Sequence, residues 1–231
     1  MNQFVTKNKL PETVIGYIRG TMMHSRFSES LLETVVYDLG FMNVIKNRVI
    51  AQHCSHYLNV GRNKLAARLC DNYATECDVA LILDTDHVFT PHQALELISH
   101  VSDDRPVVSG LYYAADDDGG QVRPIMLRRR TNGTLETMWQ FPRGEMVEVD
   151  AVGMGFCAIK MSVLTDMRRE LGDAWYDFSE TAEGHFMIED DAFCRRVQEY
   201  LDKPIYVHTG IVPGHLKACE LDARHERRKV S

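Results

Sequence analysis

The sequence predicts an α/β protein with a mostly parallel central sheet flanked by helices. Residues 79–83 are a continuous run of Val, Ala, Leu and Ile, which is typical of a strand buried on both faces of a parallel sheet. Helical apolar spacing precedes this run over residues 64–73, and a helix-start pattern follows it, so strands and helices alternate. The 231 residues, 45% of them apolar, suffice for one large domain and leave little room for a second.

The chain before this run predicts two further strands and a helix between them. Residues 13–18 and 44–51 have strand composition. Between these strands, Ser25 or Ser28 can cap a helix, and Gly40 can end it. The apolar positions of that helix recur with helical spacing at Leu31, Leu32, Val35, Val36 and Leu39. The predicted order up to residue 83 is therefore β-α-β-α-β.

Turn and capping signals divide the next part of the chain. The Thr-Pro-His-Gln sequence at residues 90–93 matches a capping box with proline at the first helical position, and its helix reaches about residue 100. Residues 106–113 predict another strand. Asn132 and Gly133 suit the turn of a β-hairpin, because this pair permits positive φ.

The last third predicts a glycine-containing strand region and two helices. Within residues 147–160, Gly153 and Gly155 allow close approach of the backbone to a ligand or to a neighbouring strand, and the sequence leaves both alternatives open. Ser162 can cap a helix that ends at residue 171. A final helix is predicted over residues 190–201, with three inward-facing residues: Val197, Tyr200 and Leu201.

Charge and composition limit the function classes. The net charge of -7 disfavours broad attraction to nucleic acid or an anionic membrane, although basic clusters at residues 128–130 and 224–229 keep a phosphate-rich acceptor, including nucleic acid, among the alternatives. Six cysteines without Cys-x-x-Cys spacing indicate neither zinc nor a disulfide framework. The N-terminus lacks the apolar core of a secretory signal, and no stretch approaches the roughly 18 apolar residues of a membrane span. We therefore expect a cytoplasmic protein.

Two aspartates separated by one residue directly follow the buried run of residues 79–83. Ligands of open α/β sheets bind outside the carboxyl ends of the strands, and strand residues i and i+2 point the same way, so Asp84 and Asp86 can face one ligand. Two carboxylates so close repel each other unless a cation lies between them, and divalent cations prefer oxygen ligands. The position of the pair predicts a site for a metal and a diphosphate.

A second Asp-x-Asp pattern, Asp116 to Asp118, shows why position matters more than the pattern. With 18 Asp among 231 residues, chance alone gives roughly one to two such patterns. Asp116 to Asp118 lie in Ala-Asp-Asp-Asp-Gly-Gly, which has loop composition and no preceding apolar strand. We interpret that pattern as a solvated turn.

Several further motifs line up along the chain with the aspartate pair. They are Gly61-Arg62-Asn63-Lys64-Leu65, Val152-Gly153-Met154-Gly155-Phe156, Ile188-Glu189-Asp190-Asp191 and Pro213-Gly214-His215. In this order and spacing the motifs resemble the small glycosyltransferases of the GT-A fold, particularly compact ones of bacteriophages and bacteria. The resemblance implies a single GT-A (Rossmann-like) domain over residues 1–217, followed by a basic C-terminal tail over residues 218–231.

The resemblance also implies a metal and a donor. In that family the Asp-x-Asp motif holds Mn²⁺ or Mg²⁺ against the diphosphate of a nucleotide sugar, which gives Asp84 and Asp86 this role, with Asp84 also at the donor. A bound cation stabilises the negative charge that develops on the leaving diphosphate. His215 resembles the family's late metal-binding histidine, with His208 as the competing candidate. His87 is a departure, because related chains commonly carry an apolar residue after the aspartates.

Catalytic and donor-binding residues follow from the same resemblance. Glu189 and Asp190 resemble the acidic pair in which one carboxylate, here Asp190, takes the proton of the acceptor hydroxyl. Helix capping is the alternative for both. Arg62 and Asn63 resemble an Arg-Asn pair near the nucleotide, and Arg19 is a similar candidate for donor contact. The aromatic residues of 175–178 fall where the family often contacts its acceptor.

The resulting expectation is a metal-dependent glycosyltransferase that moves a sugar from a nucleotide diphosphate sugar, with a UDP-sugar favoured, to a hydroxyl acceptor. A protein, a glycan and a modified nucleobase remain open as acceptors. The rivals are a nucleotidyltransferase and a catalytically silent nucleotide- or glycan-binding module. If the chain is encoded by a phage, its expected location is the host cytoplasm.

Overall fold

A computed structural model describes residues 10–54, 57–115, 122–180 and 184–216. Five α-helices occur in this part of the chain: α1 Ser25–Tyr37, α2 Leu58–Tyr73, α3 Pro91–Ser99, α4 Met161–Leu171 and α5 Glu189–Leu201. The strands are β1 Thr13–Arg19, β2 Val49–His53, β3 Val79–Asp84, β4 His87–Val88, β5 Val107–Gly110, β6 Tyr113–Ala115, β7 Val122–Pro124, β8 Met126–Arg129, β9 Leu135–Thr137, β10 Met146–Val149, β11 Ala151–Val152, β12 Phe156–Lys160, β13 Ser179–Glu180, β14 Phe186–Met187, β15 Ile205–His208 and β16 Gly214–His215.

The central sheet has seven strands in the order β10-β15-β5-β12-β3-β1-β2. Strands β1, β2, β3, β5 and β15 run in one direction, while β12 and β10 run against them. The predicted α/β class with a mostly parallel sheet is therefore confirmed, although four small sheets of two or three strands accompany it. Strand β3 lies near the middle, where Leu81 is flanked by Ile15 of β1 and Ala158 of β12.

Helices cover both faces of this sheet because successive strand residues point to opposite sides. On one face, α2, α4 and α5 bury Leu69, Leu164 and Phe193 in one cluster with Val14 of β1. On the other face, Phe27 of α1 and the buried residues of α3 pack with strand residues that alternate with those of the first cluster. Residues 79–83 are all buried, as predicted, because a helix layer covers each face of the sheet at β3.

Helix α1 differs from its prediction in the face that it buries. Leu32, Val36 and Leu39 are exposed, and the buried positions are Phe27, Ser30, Thr34 and Asp38. The polar members of this face satisfy their hydrogen bonds. Ser30 Oγ accepts from the backbone N–H of Phe89 at 3.1 Å, and Thr34 Oγ1 donates to the Ser30 carbonyl at 2.8 Å. Three of the five apolar positions that predicted the helix are therefore exposed, while Leu31 and Val35 are partly buried.

The predicted ends of α1 were also wrong. The residue before the helix is His24, and neither Ser25 nor Ser28 caps it with a side chain. Gly40 does not end the helix, because a π-helical turn at Asp38–Met42 continues through it and ends at Asn43, whose φ is 55°. Asp38 stabilises this unusual ending, since its carboxylate accepts from three consecutive backbone N–H groups at 2.8–3.0 Å, those of residues 44–46.

Other predicted elements can be compared directly. The capping box at Thr90 and Gln93 and the hairpin turn at Gly133, with φ of 82°, are confirmed. The strand predicted from residue 44 begins only at Val49. Ser162 lies inside α4 instead of capping it. Tyr200 is 54% exposed, so its predicted inward packing was wrong.

Some predictions fall on residues outside the described ranges. They are the turn at Asp116 to Asp118 and the basic tail at residues 218–231. Among the described helices, none is long and apolar enough to cross a membrane.

Candidate active site

The candidate site lies where β3 ends, and a late segment of the chain returns to it. Strand β3 ends at Asp84, and β4 begins three residues later at His87, directly after Asp86. Strand β16 pairs antiparallel with β4 and places His215 opposite His87. The backbone N–H of Leu216 donates to the Asp86 carbonyl at 2.7 Å. The chain thus brings together Asp86 and His215, which the resemblance had assigned to one metal.

Asp86 lies between two imidazole rings. Its Oδ1 is 3.0 Å from His87 Nδ1, and its Oδ2 is 3.1 Å from His215 Nε2. Each of the three side chains offers a ligand atom, and these atoms all lie within 4.8 Å of one another. One carboxylate and two imidazoles are a donor set that suits a transition-metal dication.

The other ring nitrogen of His215 indicates which tautomer is present. His215 Nδ1 lies 2.8 Å from the carbonyl oxygen of Tyr113. Because a carbonyl only accepts, Nδ1 carries a proton, and Nε2 is the nitrogen that faces Asp86: without a metal it donates to the Asp86 carboxylate, and a bound metal would take its lone pair instead. A histidine that donates its second N–H to a backbone carbonyl is the usual arrangement of a metal ligand, since it fixes the tautomer and the ring orientation. The residues present therefore fit a metal.

Asp86 is ionised in this arrangement. Partial burial by itself raises the pKa of a carboxyl, but the hydrogen bonds from His215 and His87 outweigh it and hold the pKa of Asp86 well below its usual range. The anionic form required of a metal ligand is therefore the stable one near neutral pH.

His87 is a site residue that the sequence did not assign. Its side chain is only 1% exposed and is stacked on His215, with ring centroids 4.6 Å apart. The edge of His87 also meets the ring of Tyr112 at a centroid distance of 4.6 Å. The one signal in the sequence was that His87 departs from the apolar residue expected after the aspartates.

The two glycines of residues 152–156 make room for these rings. A Cβ on Gly155 would collide with the His87 ring, and a Cβ on Gly153 would collide with Tyr112 Oη. The close approach that the sequence indicated is therefore an approach of side chains from β4 and from the segment after β5. Both positions must be glycine so that the side chains of His87 and Tyr112 have room at the site.

A buried arginine joins Asp84 to Asp190. Arg62 Nη2 lies 3.0 Å from Asp84 Oδ2, and Arg62 Nε lies 3.1 Å from Asp190 Oδ1. Asp84 is not a member of the group formed by Asp86, His87 and His215. Its side chain is 25% exposed, whereas that of Arg62 is 2% exposed. The resemblance places Arg62 near the nucleotide, and in the structure its guanidinium is enclosed between two carboxylates and positions them.

Asp190 has the protonation behaviour expected of a base. Its burial raises its pKa to about 7, against the opposing effect of Arg62, while Asp84 and Glu189 add to the rise. Its Oδ2 accepts from the backbone N–H of Met154 at 2.9 Å. Glu189 precedes it at the first position of α5 and is partly buried. Asp190 does not cap α5 through its side chain, because the residue before the helix is Ile188 and no side-chain cap is formed.

Asn63, which was predicted to contact the donor, makes hydrogen bonds within the protein. Its Nδ2 donates to Asp177 Oδ1 at 2.6 Å, and its Oδ1 accepts from the backbone N–H of Tyr176 at 2.7 Å. Both ends of the amide are therefore used to hold the loop after α4. In that loop Trp175 and Tyr176 are core residues, and only Phe178, 44% exposed, is open to a partner.

Arg19 and His208 complete the predicted set. Arg19 lies at the carboxyl end of β1, is partly buried and has no acidic partner among the described residues, so it stays a candidate for donor contact. His208 ends β15 in a separate group with Glu96 and His100 and does not reach Asp86. In that group, burial and the neighbouring His208 lower the pKa of His100 to about 4.

Comparison with known proteins supports the fold. No protein-family model and no curated protein matches the chain. Solved structures do match, and one of them is the crystal structure of A197 from STIV, with a TM-score of 0.53 and 18% sequence identity. The similarity covers 90% of this chain and 86% of that chain. At this identity the likeness shows a shared fold over nearly the whole length of both proteins.

Proposed function

We propose that this chain is a metal-dependent glycosyltransferase of the GT-A type. It would transfer a sugar from a nucleotide diphosphate sugar, with a UDP-sugar favoured, to a hydroxyl acceptor. The observation that carries the proposal is the return of His215 to Asp86 at the end of β3, with the His215 tautomer held by the Tyr113 carbonyl. This is the pairing that the motif resemblance implied for residues 129 positions apart.

Asp86, His215 and, as an addition to the predicted set, His87 would hold the metal. The cation, when bound, supplies Lewis-acid stabilisation of the charge on the leaving diphosphate. Two imidazoles in the donor set favour Mn²⁺ over Mg²⁺, which prefers oxygen ligands. Asp84, still partly exposed beside this group, is left to contact the donor, as is Arg19.

Asp190 would accept the proton that the acceptor hydroxyl loses as it attacks the anomeric carbon. A base is most effective when its pKa lies near the working pH, and the pKa of Asp190 is about 7. Arg62 and the Met154 amide fix the two oxygens of Asp190, so its carboxylate is oriented before the acceptor binds. Glu189, beside it, raises the pKa of Asp190 and so acts through the base.

The position of Gly16 disfavours the nucleotidyltransferase alternative. Such an enzyme usually opens with a glycine-rich phosphate loop after the first strand. Here Gly16 lies inside β1, where a Cβ would come within 3.1 Å of Leu65 Cδ1. This glycine therefore allows α2 to pack closely on the sheet, and it does not bind phosphate.

The test of the proposal is metal-dependent release of nucleotide by the purified chain. A panel of UDP-, GDP-, ADP- and dTDP-sugars would be incubated with Mn²⁺, and free nucleotide would be measured with and without EDTA. We expect slow hydrolysis of one donor, abolished by EDTA and by Asp86→Asn. Hydrolysis that persists unchanged in Asp86→Asn would overturn the metal assignment. Tight nucleotide binding without turnover, with a range of hydroxyl acceptors added, would favour the silent binding module.

A further inference from the structure

Glu96, His100 and His208 form a second group of potential metal ligands, away from Asp86. Glu96 lies on α3, His100 is the residue that ends this helix, and His208 ends β15. One ligand atom from each side chain lies within 4.8 Å of the other two. We propose that these three residues form a second metal site, which binds a transition-metal dication such as Zn²⁺.

The spacing of Glu96 and His100 supports this assignment. Residues four positions apart lie on the same face of a helix, about one turn from each other, so both side chains can reach one ion. The strand β15 then supplies His208 from a different element. Two imidazoles and a carboxylate are a common protein donor set for Zn²⁺, whose fourth position is often taken by water.

The two imidazoles are already held side by side. The His100 and His208 rings are stacked, with centroids 4.5 Å apart and an interplanar angle of 22°. Within the described residues, neither the His100 ring nor the Glu96 carboxylate has a hydrogen-bond or ion-pair partner, so their lone pairs are not committed. The two stacked histidines are more specific to a metal site than Glu96, because exposed carboxylates are common without any ion.

His208 must give up its hydrogen bond from Gly210 to take part. Its Nδ1 accepts from the backbone N–H of Gly210 at 3.2 Å, so the proton of the neutral, metal-free ring is on Nε2. A metal on Nδ1 would take the lone pair that Gly210 uses, and a metal on Nε2 would move the proton to Nδ1, so either mode displaces this hydrogen bond, which is at the long end of the normal range. The change gives the proposal a spectroscopic signature at a single ring.

A metal bound by Glu96, His100 and His208 would stabilise the position of residues 208–215, the segment that carries His215. Six residues separate His208 from His215, and Gln93 of α3 already holds this segment by donating to the Val212 carbonyl at 2.9 Å. A bond from α3 to His208 adds a second connection at the beginning of the same segment. The second site is therefore structural in character, and its existence does not depend on the reaction proposed above.

The experiment is a Zn²⁺ titration of the full chain in the His215→Ala background, which disables the first group. We expect one Zn²⁺ to bind, and the affinity to fall at least about tenfold on adding either His100→Gln or Glu96→Gln, since even the loss of a residue behind a metal ligand has such an effect. Glu96 is exposed, so its substitution does not disturb the fold. The matched control is His92→Gln, an exposed histidine on the same helix, which should leave the affinity unchanged.

The ¹⁵N shifts of the His208 ring provide the second readout. We expect the ring ¹⁵N shifts to change as Zn²⁺ is added, together with a shift of the Gly210 amide resonance that reports the loss of its hydrogen bond to Nδ1. No Zn²⁺ binding in the His215→Ala chain would overturn the proposal, as would binding that His100→Gln and Glu96→Gln both leave intact. Neither result would bear on donor hydrolysis, so the two proposals fail separately.

Discussion

Two aspartates in this site have opposite pKa shifts although burial acts to raise the pKa of both. At Asp86 the hydrogen bonds from two imidazoles outweigh burial, so the pKa falls. At Asp190 burial outweighs the single arginine, which is shared with Asp84, so the pKa rises to about 7. Paired carboxyl groups whose surroundings separate their pKa values are typical of sites that divide ligand and base roles. The difference comes from the neighbours, since the residue type is the same.

The raised pKa of Asp190 predicts the pH dependence of transfer. The base must be ionised to accept a proton, so kcat/KM should rise with pH and reach half its plateau near pH 7. Asp190→Asn should reduce kcat by about 10²–10⁴-fold, the usual contribution of a general base. The measurement is a pH-rate profile on the donor identified by nucleotide release. A rate that is independent of pH through this region would contradict the assignment.

Arg62 is predicted to be important for stability as well as position. Arg62→Met leaves Asp84 and Asp190 enclosed without a cation, and breaking a buried ion pair in this way costs about 3–5 kcal/mol of unfolding free energy. Urea unfolding measures this loss. The control is Arg169→Met, which breaks an i,i+3 pair with Asp166 at the surface and should cost less than about 1 kcal/mol. Equal losses in the two variants would show that the Arg62 bridge is not formed.

At the scale of elements, glycines decide how closely β12 and the segment before it can approach their neighbours. Gly153 and Gly155 precede and adjoin the start of β12, and the rings of Tyr112 and His87 occupy the space that side chains would take there. Asp84 is tied to the same place, because its backbone N–H donates to the Gly155 carbonyl at 2.9 Å. The segment therefore packs against the rings of His87 and Tyr112 and fixes their positions beside Asp86.

Two glycine substitutions should have opposite effects on stability. Gly155→Ala forces the His87 ring away from Asp86, so it should destabilise the fold by about 1–3 kcal/mol and weaken Mn²⁺ binding. Gly40→Ala meets no atom within 4 Å in the π-helical turn, and it should stabilise the chain by about 0.5–1 kcal/mol. Thermal unfolding and a Mn²⁺ titration of both variants provide the comparison. Unchanged Mn²⁺ affinity in Gly155→Ala would contradict the role given to His87.

Helix α1 shows where sequence patterns mislead at this scale. Its apolar residues recur with a helical period, which predicted the helix but not the buried face. Ser30 and Thr34 are buried because their hydroxyls find backbone partners, and Asp38 because it caps residues 44–46. The hydrophobic pattern carries no information about such hydrogen-bond partners. The side chains of residues 79–83 are apolar and need no such partners, so the pattern predicted their burial correctly.

At the scale of the whole molecule, the topology brings together four separated parts of the chain: residues 86–87, 112–113, 153–155 and 214–215. The resemblance predicted that Asp86 and His215 meet, because both belong to motifs. It did not predict His87 and Tyr112, which belong to none. The contacts that Arg62 and Asn63 make within the protein were not predicted either, since a motif does not show whether its side chains are exposed to a ligand or used between elements.

Metal binding should stabilise the whole chain. A ligand that binds only the folded state adds about 2.7 kcal/mol to the unfolding free energy at a hundred times its Kd. Mn²⁺ should therefore raise the Tm of the wild-type chain by more than it raises that of His215→Ala. Differential scanning calorimetry at matched metal concentrations measures both shifts. Equal shifts would show that His215 contributes nothing to the Mn²⁺ that is bound.

The most direct test of the account is pulsed electron paramagnetic resonance of the Mn²⁺-loaded chain. Couplings from ¹⁴N report whether an imidazole nitrogen is bound to the Mn²⁺ ion itself. We expect such couplings in the wild-type protein and their reduction in His215→Ala. We also expect the loss of Mn²⁺ binding in Asp86→Asn. Mn²⁺ bound tightly with only oxygen and water ligands, or couplings unchanged in His215→Ala, would contradict the claim that Asp86 and His215 hold the metal.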